Sequence, residues 1–478
     1  MMRWTNAMFP SAGQRASKTR CARVPLLGES ANLPRESLLA AREDAAMAAM
    51  PDHIPIPMPG GLDVDLPQFV KVRQHFANEV VADVDAAVAA SFAALPEMDL
   101  AGKRIAIGVG SRGIGPQPGV VRAVINELKK VDAVPFIVPT MGSHGGGTVE
   151  GQLGILTEYG ITEESMGVPI EASMDVVQVG TLSDGWPVYC DRIAYEADYI
   201  VPCNRVKPHT DFRGTHESGL VKMMAIGLAK HKGAEALHRQ GFARFAEVIP
   251  ESGKVFLDNT KTLFGIAMVE NAFDQLMHVE LVARDNIFER DRELLKLAKA
   301  NIPRFHFEAM DLLIVDQIGK NISGSGMDPN ATGRPNTKLP GFDDAPDIHR
   351  IVVRDLTDAT HGNATGLGGA DVTTQRVVRK MDWTATYVNV VTSGIIDSAC
   401  TPLVANTDRE AIALALRGCP KLDPMDAKIV RIKNTLSLSE VWASAPLLEE
   451  IKANEKMDIL GDAFDVVFDD EGTLLDFA

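Results

Sequence analysis

Short apolar runs, each followed by a polar glycine-bearing loop and then an amphipathic helix, recur along most of this chain. Arg104–Val109, Val134–Pro139 and Tyr199–Pro202 are such runs in the first part, and Asp311–Val315, Arg350–Val353 and Ala427–Ile432 in the second. Val120, Val121, Val124, Ile125 and Leu128 fall at helical spacing between the first two runs. Thr148 is an N-cap candidate for a helix that Gly160 stops, and 286–302 reads as a charged amphipathic helix ended by Pro303. Asp371–Met381 and Asp408–Arg417 are the later helices. Strands that are apolar on both faces and alternate with helices build parallel sheets covered on both sides. The fold class expected is therefore α/β: two α/β domains with mainly parallel sheets and an active-site cleft between them. The boundary falls near 303–309, giving an N-terminal domain over 53–305 and a C-terminal domain over 306–478. Residues 1–52 are Arg-, Ser- and Ala-rich at first and Pro-rich at the end, and read as a disordered or non-native extension, with Met47 or Met50 as alternative starts.

Composition narrows the function classes. The chain has 478 residues, 45% hydrophobic and 23% charged, as a globular protein has. Its 64 acidic against 48 basic residues give a net charge of −16, which argues against a general nucleic-acid binder. No apolar run approaches the ~20 residues a membrane helix needs. Cys21, Cys190, Cys203, Cys400 and Cys419 form no CxxC pair, so neither a disulfide framework nor a thiolate metal knuckle is expected, and a reducing cytoplasmic setting fits.

In open α/β sheets ligands bind at the carboxyl ends of the strands, so the loops that follow the apolar runs are where chemistry belongs. Gly108-Val-Gly110-Ser-Arg112-Gly113 satisfies GxGxxG, but Ile114-Gly115-Pro116 interrupts before a helix can begin. What remains is a flexible turn carrying Arg112, suited to an anion. Met141-Gly-Ser-His144-Gly-Gly-Gly-Thr148 places an imidazole, which titrates near neutrality, where backbone can approach a ligand closely. The densest loop runs from Asn204 through Lys207-Pro208-His209-Thr-Asp211 and His216-Glu217 to Lys222. Beyond it lies His231, Glu235 and His238 at i, i+4, i+7, a zinc-like spacing. On one unbroken helix Lys222 and His238 would be roughly 160° apart, so they can serve one ligand only if Gly227 or Gly233 breaks the helix. Gln317 and Lys320 follow the first strand of the second domain, a carboxamide and an ammonium suited to a carboxylate or phosphate.

Taken in order, MGSHGG around His144, KPHTDF around His209, Lys222, His238 and the Gln317-x-x-Lys320 pair make the chain, from about 60 to 470, resemble the nickel-dependent lactate racemase superfamily. The resemblance implies a cleft that holds a nickel-pincer nucleotide, a pyridinium mononucleotide whose sulfur-donor arms grip Ni. By it, His144 and His209 are the two catalytic histidines, and Lys222 corresponds to the lysine able to hold the cofactor covalently. His238 is the nickel ligand, Gln317 and Lys320 orient the substrate carboxylate, and Arg112 loosely matches a basic cofactor contact. The function implied is a racemase or epimerase that inverts C2 of a small-molecule 2-hydroxy acid by reversible hydride transfer. The residues also admit a divalent-metal hydrolase built on His209, His216 or the His231/Glu235/His238 face, and a non-catalytic nucleotide or organic-acid binder. Trp383, Tyr387 and Met327 are expected as cavity walls.

Overall fold

The computed structural model describes residues 51–110 and 117–475. The N-terminal extension up to residue 50 and Arg112 lie outside the described residues. From Pro55 onward the chain forms one compact unit.

The first strands are β1 (Phe69–Gln74), β2 (Arg104–Val109), β3 (Val134–Pro139), β4 (Val176–Thr181), β5 (Pro187–Asp191), β6 (Tyr199–Arg205), β7 (Phe264–Glu270) and β8 (Leu276–Ala283). There follow β9 (Ala309–Ile318), β10 (Asp347–Leu356), β11 (Val372–Thr374), β12 (Leu403–Ala405), β13 (Ile429–Ile432), β14 (Glu440–Ser444) and β15 (Met457–Phe464). One sheet of five has the order β3-β2-β6-β7-β8 and is parallel except for β8. A second of eight has the order β12-β11-β10-β9-β13-β14-β1-β15. It is parallel from β12 to β13 and antiparallel from there to β15.

Alternate side chains of each strand feed opposite cores. On β2, Ile105, Ile107 and Val109 pack with the helix Gln117–Lys130, while Ala106 faces the core that holds the helices Phe245–Asn259 and Ile287–Asn301. In the second sheet Leu313 and Val315 of β9 enter one core, and Leu312 and Ile314 the other. Burial on both faces is why these strands read as continuous apolar runs: on β2 every residue after Arg104 is buried. The α/β class with large, mainly parallel sheets is thus what the chain adopts. Among the described residues no helix is long and apolar enough to cross a membrane.

Two expectations change in detail. The stretch 53–305 contributes β1 to the other sheet, where it pairs with β14 and β15. Strand β1 hid because Lys71 and Arg73 interrupt it; Arg73 is exposed, and both side chains ion-pair with Glu440 on β14. The helix expected over Asp371–Met381 begins only at Gln375, because Val372–Thr374 joins the sheet between β12 and β10 and the Thr374 hydroxyl caps the helix.

Candidate functional site

His144 is presented by a loop that leaves β3 and folds back onto its own helix. The Thr148 hydroxyl accepts the Gly151 amide and caps the helix Val149–Glu158, as the sequence suggests. Gly145 has φ +66, and a Cβ on Gly151 would lie 1.9 Å from the Gly145 carbonyl oxygen. Loop and helix touch there with no room for a methyl group. The Gln152 carboxamide then donates to the carbonyls of Gly142 (3.1 Å) and His144 (3.4 Å), fixing the backbone while the imidazole stays exposed. Gly151→Ala is expected to displace this loop and cost about 1–3 kcal/mol by overpacking, read as a lower urea midpoint.

His209 lies in a loop closed by paired backbone bonds between Lys207 and Ser218. Glu217, fully buried, is its hub. Its carboxylate accepts the His209 amide at 2.8 Å, the Gly214 amide at 3.3 Å and the Lys299 ammonium at 2.6 Å. Arg213 reaches from this loop toward the second sheet. It donates to the His209 carbonyl, Asn330 Oδ1 and the Gly341 carbonyl, with Phe342 3.5 Å beneath its guanidinium. The His209 ring packs 4.6 Å from Phe212, and its Nδ1 accepts the Asp211 amide at 3.0 Å. In the neutral ring the proton therefore sits on Nε2. The Asp211 carboxylate lies 3.6 Å from Nδ1, placed to accept a hydrogen bond from that nitrogen when the ring is charged.

Lys222 ends a short helical turn, Leu220–Lys222, whose amides are capped by the buried Asp291. The segment Met223–Gly227 is then π-helical, and Lys230 has φ +54 as a new helix, Lys230–His238, begins. The break needed to bring Lys222 and His238 together thus lies in the π turn and at Lys230. Gly233 sits inside the second helix. Within that helix His238 donates from Nδ1 to the Ala234 carbonyl at 2.7 Å, which leaves the lone pair of the neutral ring on Nε2. Its ring meets Phe242 and Phe245 edge-on.

Burial pushes the His238 pKa below its ordinary 6.5; the Ala234 bond opposes this and the Lys222 charge adds to it. The unfolded ring thus takes up a proton at a higher pH than the folded one. Stability tied to His238 is present above pH 6.5 and lost as pH falls through the folded value. The metal-free protein is expected to lose denaturant resistance below that pH, with a flatter profile in His238→Gln.

From the second sheet, Lys320 donates from Nζ to the Gly324 carbonyl at 2.7 Å and to Asn389 Oδ1 at 2.8 Å. Asn389 also accepts the Thr365 hydroxyl.

One cavity of about 720 Å³ is lined by His144, His209, Lys222, His238 and Lys320 together. Gln317 lines neither this cavity nor its neighbour; it lies on β9, where its amide bonds the Lys433 carbonyl. Trp383, Tyr387 and Met327 line neither, whereas Thr384, Ala385 and Val388 on the same helix as Trp383 line the neighbouring one. His216 is held by Phe288 and Thr215 and lines neither. His231 and Glu235 join His238 on the wall, but among the described residues no group of three His, Cys, Asp or Glu is placed to hold a metal ion.

Sequence reasoning passed over Asn389, an ordinary polar residue in the helix Trp383–Ser393 with no neighbouring signal. It also passed over Thr140. The Thr140 hydroxyl is buried on the cavity wall with no hydrogen-bond partner among the described residues.

A family model, the lactate racemase N-terminal domain, matches residues 63–247, the stretch that supplies His144, His209, Lys222 and His238. No curated protein matches the chain. Among solved structures, the lactate racemase apoprotein from Thermoanaerobacterium thermosaccharolyticum is similar, with a TM-score of 0.50 at 15% identity. The similarity covers 80% of this chain and 96% of that one, a likeness of fold. Residues 63–247 thus match the lactate racemase N-terminal domain, and the chain shares its fold with a solved lactate racemase apoprotein.

Proposed function

We propose that this protein is a racemase or epimerase that inverts C2 of a 2-hydroxy acid with a nickel-pincer nucleotide as cofactor. The observation that carries the reading is the single cavity lined by two histidines from different strand-end loops, a lysine, a third histidine and a cation from the other sheet. The residues fit the cofactor. His238 offers a neutral Nε2 suited to a borderline metal, Lys222 lines the same wall, and the buried Thr140 hydroxyl has no partner among the described residues. When bound, that cofactor supplies a hydride acceptor and donor.

The chain's own residues do the rest. Lys320 holds the substrate carboxylate, and Asn389 fixes the direction of its ammonium. One of His144 and His209 takes the hydroxyl proton as the Cα hydride leaves. The opposite histidine would return a proton to oxygen when the planar 2-keto acid presents its other face. Hydride transfer avoids proton loss from a carbon beside an ionised carboxylate, which would need a dianion.

The test is protein loaded by cofactor-synthesis enzymes. Bound nickel, near-UV absorbance and epimerisation of a 2-hydroxy acid followed by chiral chromatography are expected. Intact mass should show an adduct that Lys222→Ala removes. Zinc without a chromophore, and no epimerisation, would overturn the reading.

A further inference from the structure

A second cavity, of about 970 Å³, adjoins the two-histidine cavity and shares His144, Arg205, Lys207 and Lys320 with it, whereas His209 lines only the first and Glu270, Asp274 and Asp328 only the second. Cavities of ~300–1,000 Å³ hold ligands far larger than a three-carbon acid. If the reading above holds, C2 lies near His144 and the carboxylate at Lys320, so a chain continuing from C3 enters this second lobe.

The wall chemistry selects the kind of chain. Arg205 and Glu270 end the neighbouring strands β6 and β7 and form an ion pair with side chains only 19% and 6% exposed. Around them stand Lys207, Asp274, Lys320 and Asp328, so the lobe sets three cations against three carboxylates. Burial already pushes the Glu270 carboxyl up, against the opposing pull of Arg205. An apolar tail would strip the remaining water from this pair without replacing its hydrogen bonds, a costly exchange. A second carboxylate on the tail would gain no net attraction from a lobe with as many carboxylates as cations, one of which, Arg205, is already paired with Glu270. Neutral hydroxyls can donate to the carboxylates and accept from the cations. Tyr159, Ile155 and Leu436 on the lobe's wall suit the C–H faces of such a chain.

We infer that the lobe binds the tail of the substrate, and that the substrate is a 2-hydroxy acid with a neutral polyhydroxylated chain beyond C3. This inference rests on the proposed racemase reading for the placement of C2.

The experiment compares four acids with the cofactor-loaded full chain: lactate, malate, 2-hydroxyhexanoate and the six-carbon aldonate gluconate. Turnover is followed by chiral chromatography, and binding by calorimetry with and without cofactor. Gluconate is expected to exceed 2-hydroxyhexanoate in kcat/KM by about 10²-fold or more, since sites built for hydroxyls reject analogues that lack them. Asp274→Asn and Glu270→Gln should each lower that preference by about tenfold. Asp274 is the safer variant, because Glu270→Gln also unpairs Arg205. Preference for lactate, 2-hydroxyhexanoate or malate overturns the inference and leaves the racemase reading standing. Gluconate binding that Asp274→Asn weakens, without epimerisation of any acid, supports the lobe and overturns the racemase reading. Neither binding nor turnover overturns both.

Discussion

Alanine at His144 or at His209 is expected to lower epimerisation by about 10²–10⁴-fold in each variant, with nickel and cofactor content at wild-type level. Neither ring is the proposed nickel ligand, so loading should survive. The two losses should not multiply: once one proton carrier is gone, the cycle is already broken, and residues that act as a unit are strongly non-additive. His209 carries a further signature. Its Nδ1 accepts the Asp211 amide, so the neutral ring must change hydrogen-bond partners when it becomes charged, with the Asp211 carboxylate 3.6 Å away. Asp211→Asn should therefore shift the pH profile of kcat toward lower pH, because a nearby anion that favours the charged ring is lost. Near-normal turnover in either alanine variant would end the two-base scheme.

The largest stability effect is expected at Lys230. Its ammonium is fully buried, 3.0 Å from the equally buried Asp191, and it also donates to the Pro139 carbonyl and to Gln152. Burial pushes the Lys230 pKa down and the Asp191 pKa up, and each partner's charge opposes that shift. Removing one member leaves an uncompensated charge, so Lys230→Met should cost about 3–5 kcal/mol. The double variant Lys230→Met, Asp191→Asn should recover most of that loss. Denaturant unfolding of the four proteins in the cycle measures it; a loss in the double variant equal to the sum of the two single losses would show that the pair is not coupled. The consequence extends to the site. Through Gln152 the same ammonium steadies the carbonyls of Gly142 and His144, and it opens the helix that carries His238.

Legibility in the sequence followed burial in part: β7, buried along its whole length, was nonetheless not read. Strands β2, β3, β6, β9, β10 and β13 stood out because both faces are covered and their residues run apolar. Strands β1 and β15 did not: β1 carries Lys71 and Arg73, and β15 carries Asp458 and Asp462. His144, His209, Lys222, His238 and Lys320 were legible because glycine or proline marks the loops that hold most of them, and because their order matches one family. Gln317 failed on pleat. Three residues before Lys320, it still lies within β9, paired with Asp355, so its neighbours are strands rather than the cavity. Lys230 and Asp191 were invisible. They are far apart in sequence, and only the fold makes a pair of them.

Because β1 lies in the eight-stranded sheet, the polypeptide passes between the two sheets twice, once after Gln74 and once before Ala309. The passages are pinned side by side: Gln74 accepts the His306 amide, the His75 carbonyl bonds the His306 ring, and Phe76 packs 5.2 Å from that ring. A paired strap of this kind bends about the line joining its two members yet resists torsion. Any movement of one sheet against the other would therefore be expected to hinge at this pair of crossings, with the Lys320 loop on one side and the histidine loops on the other.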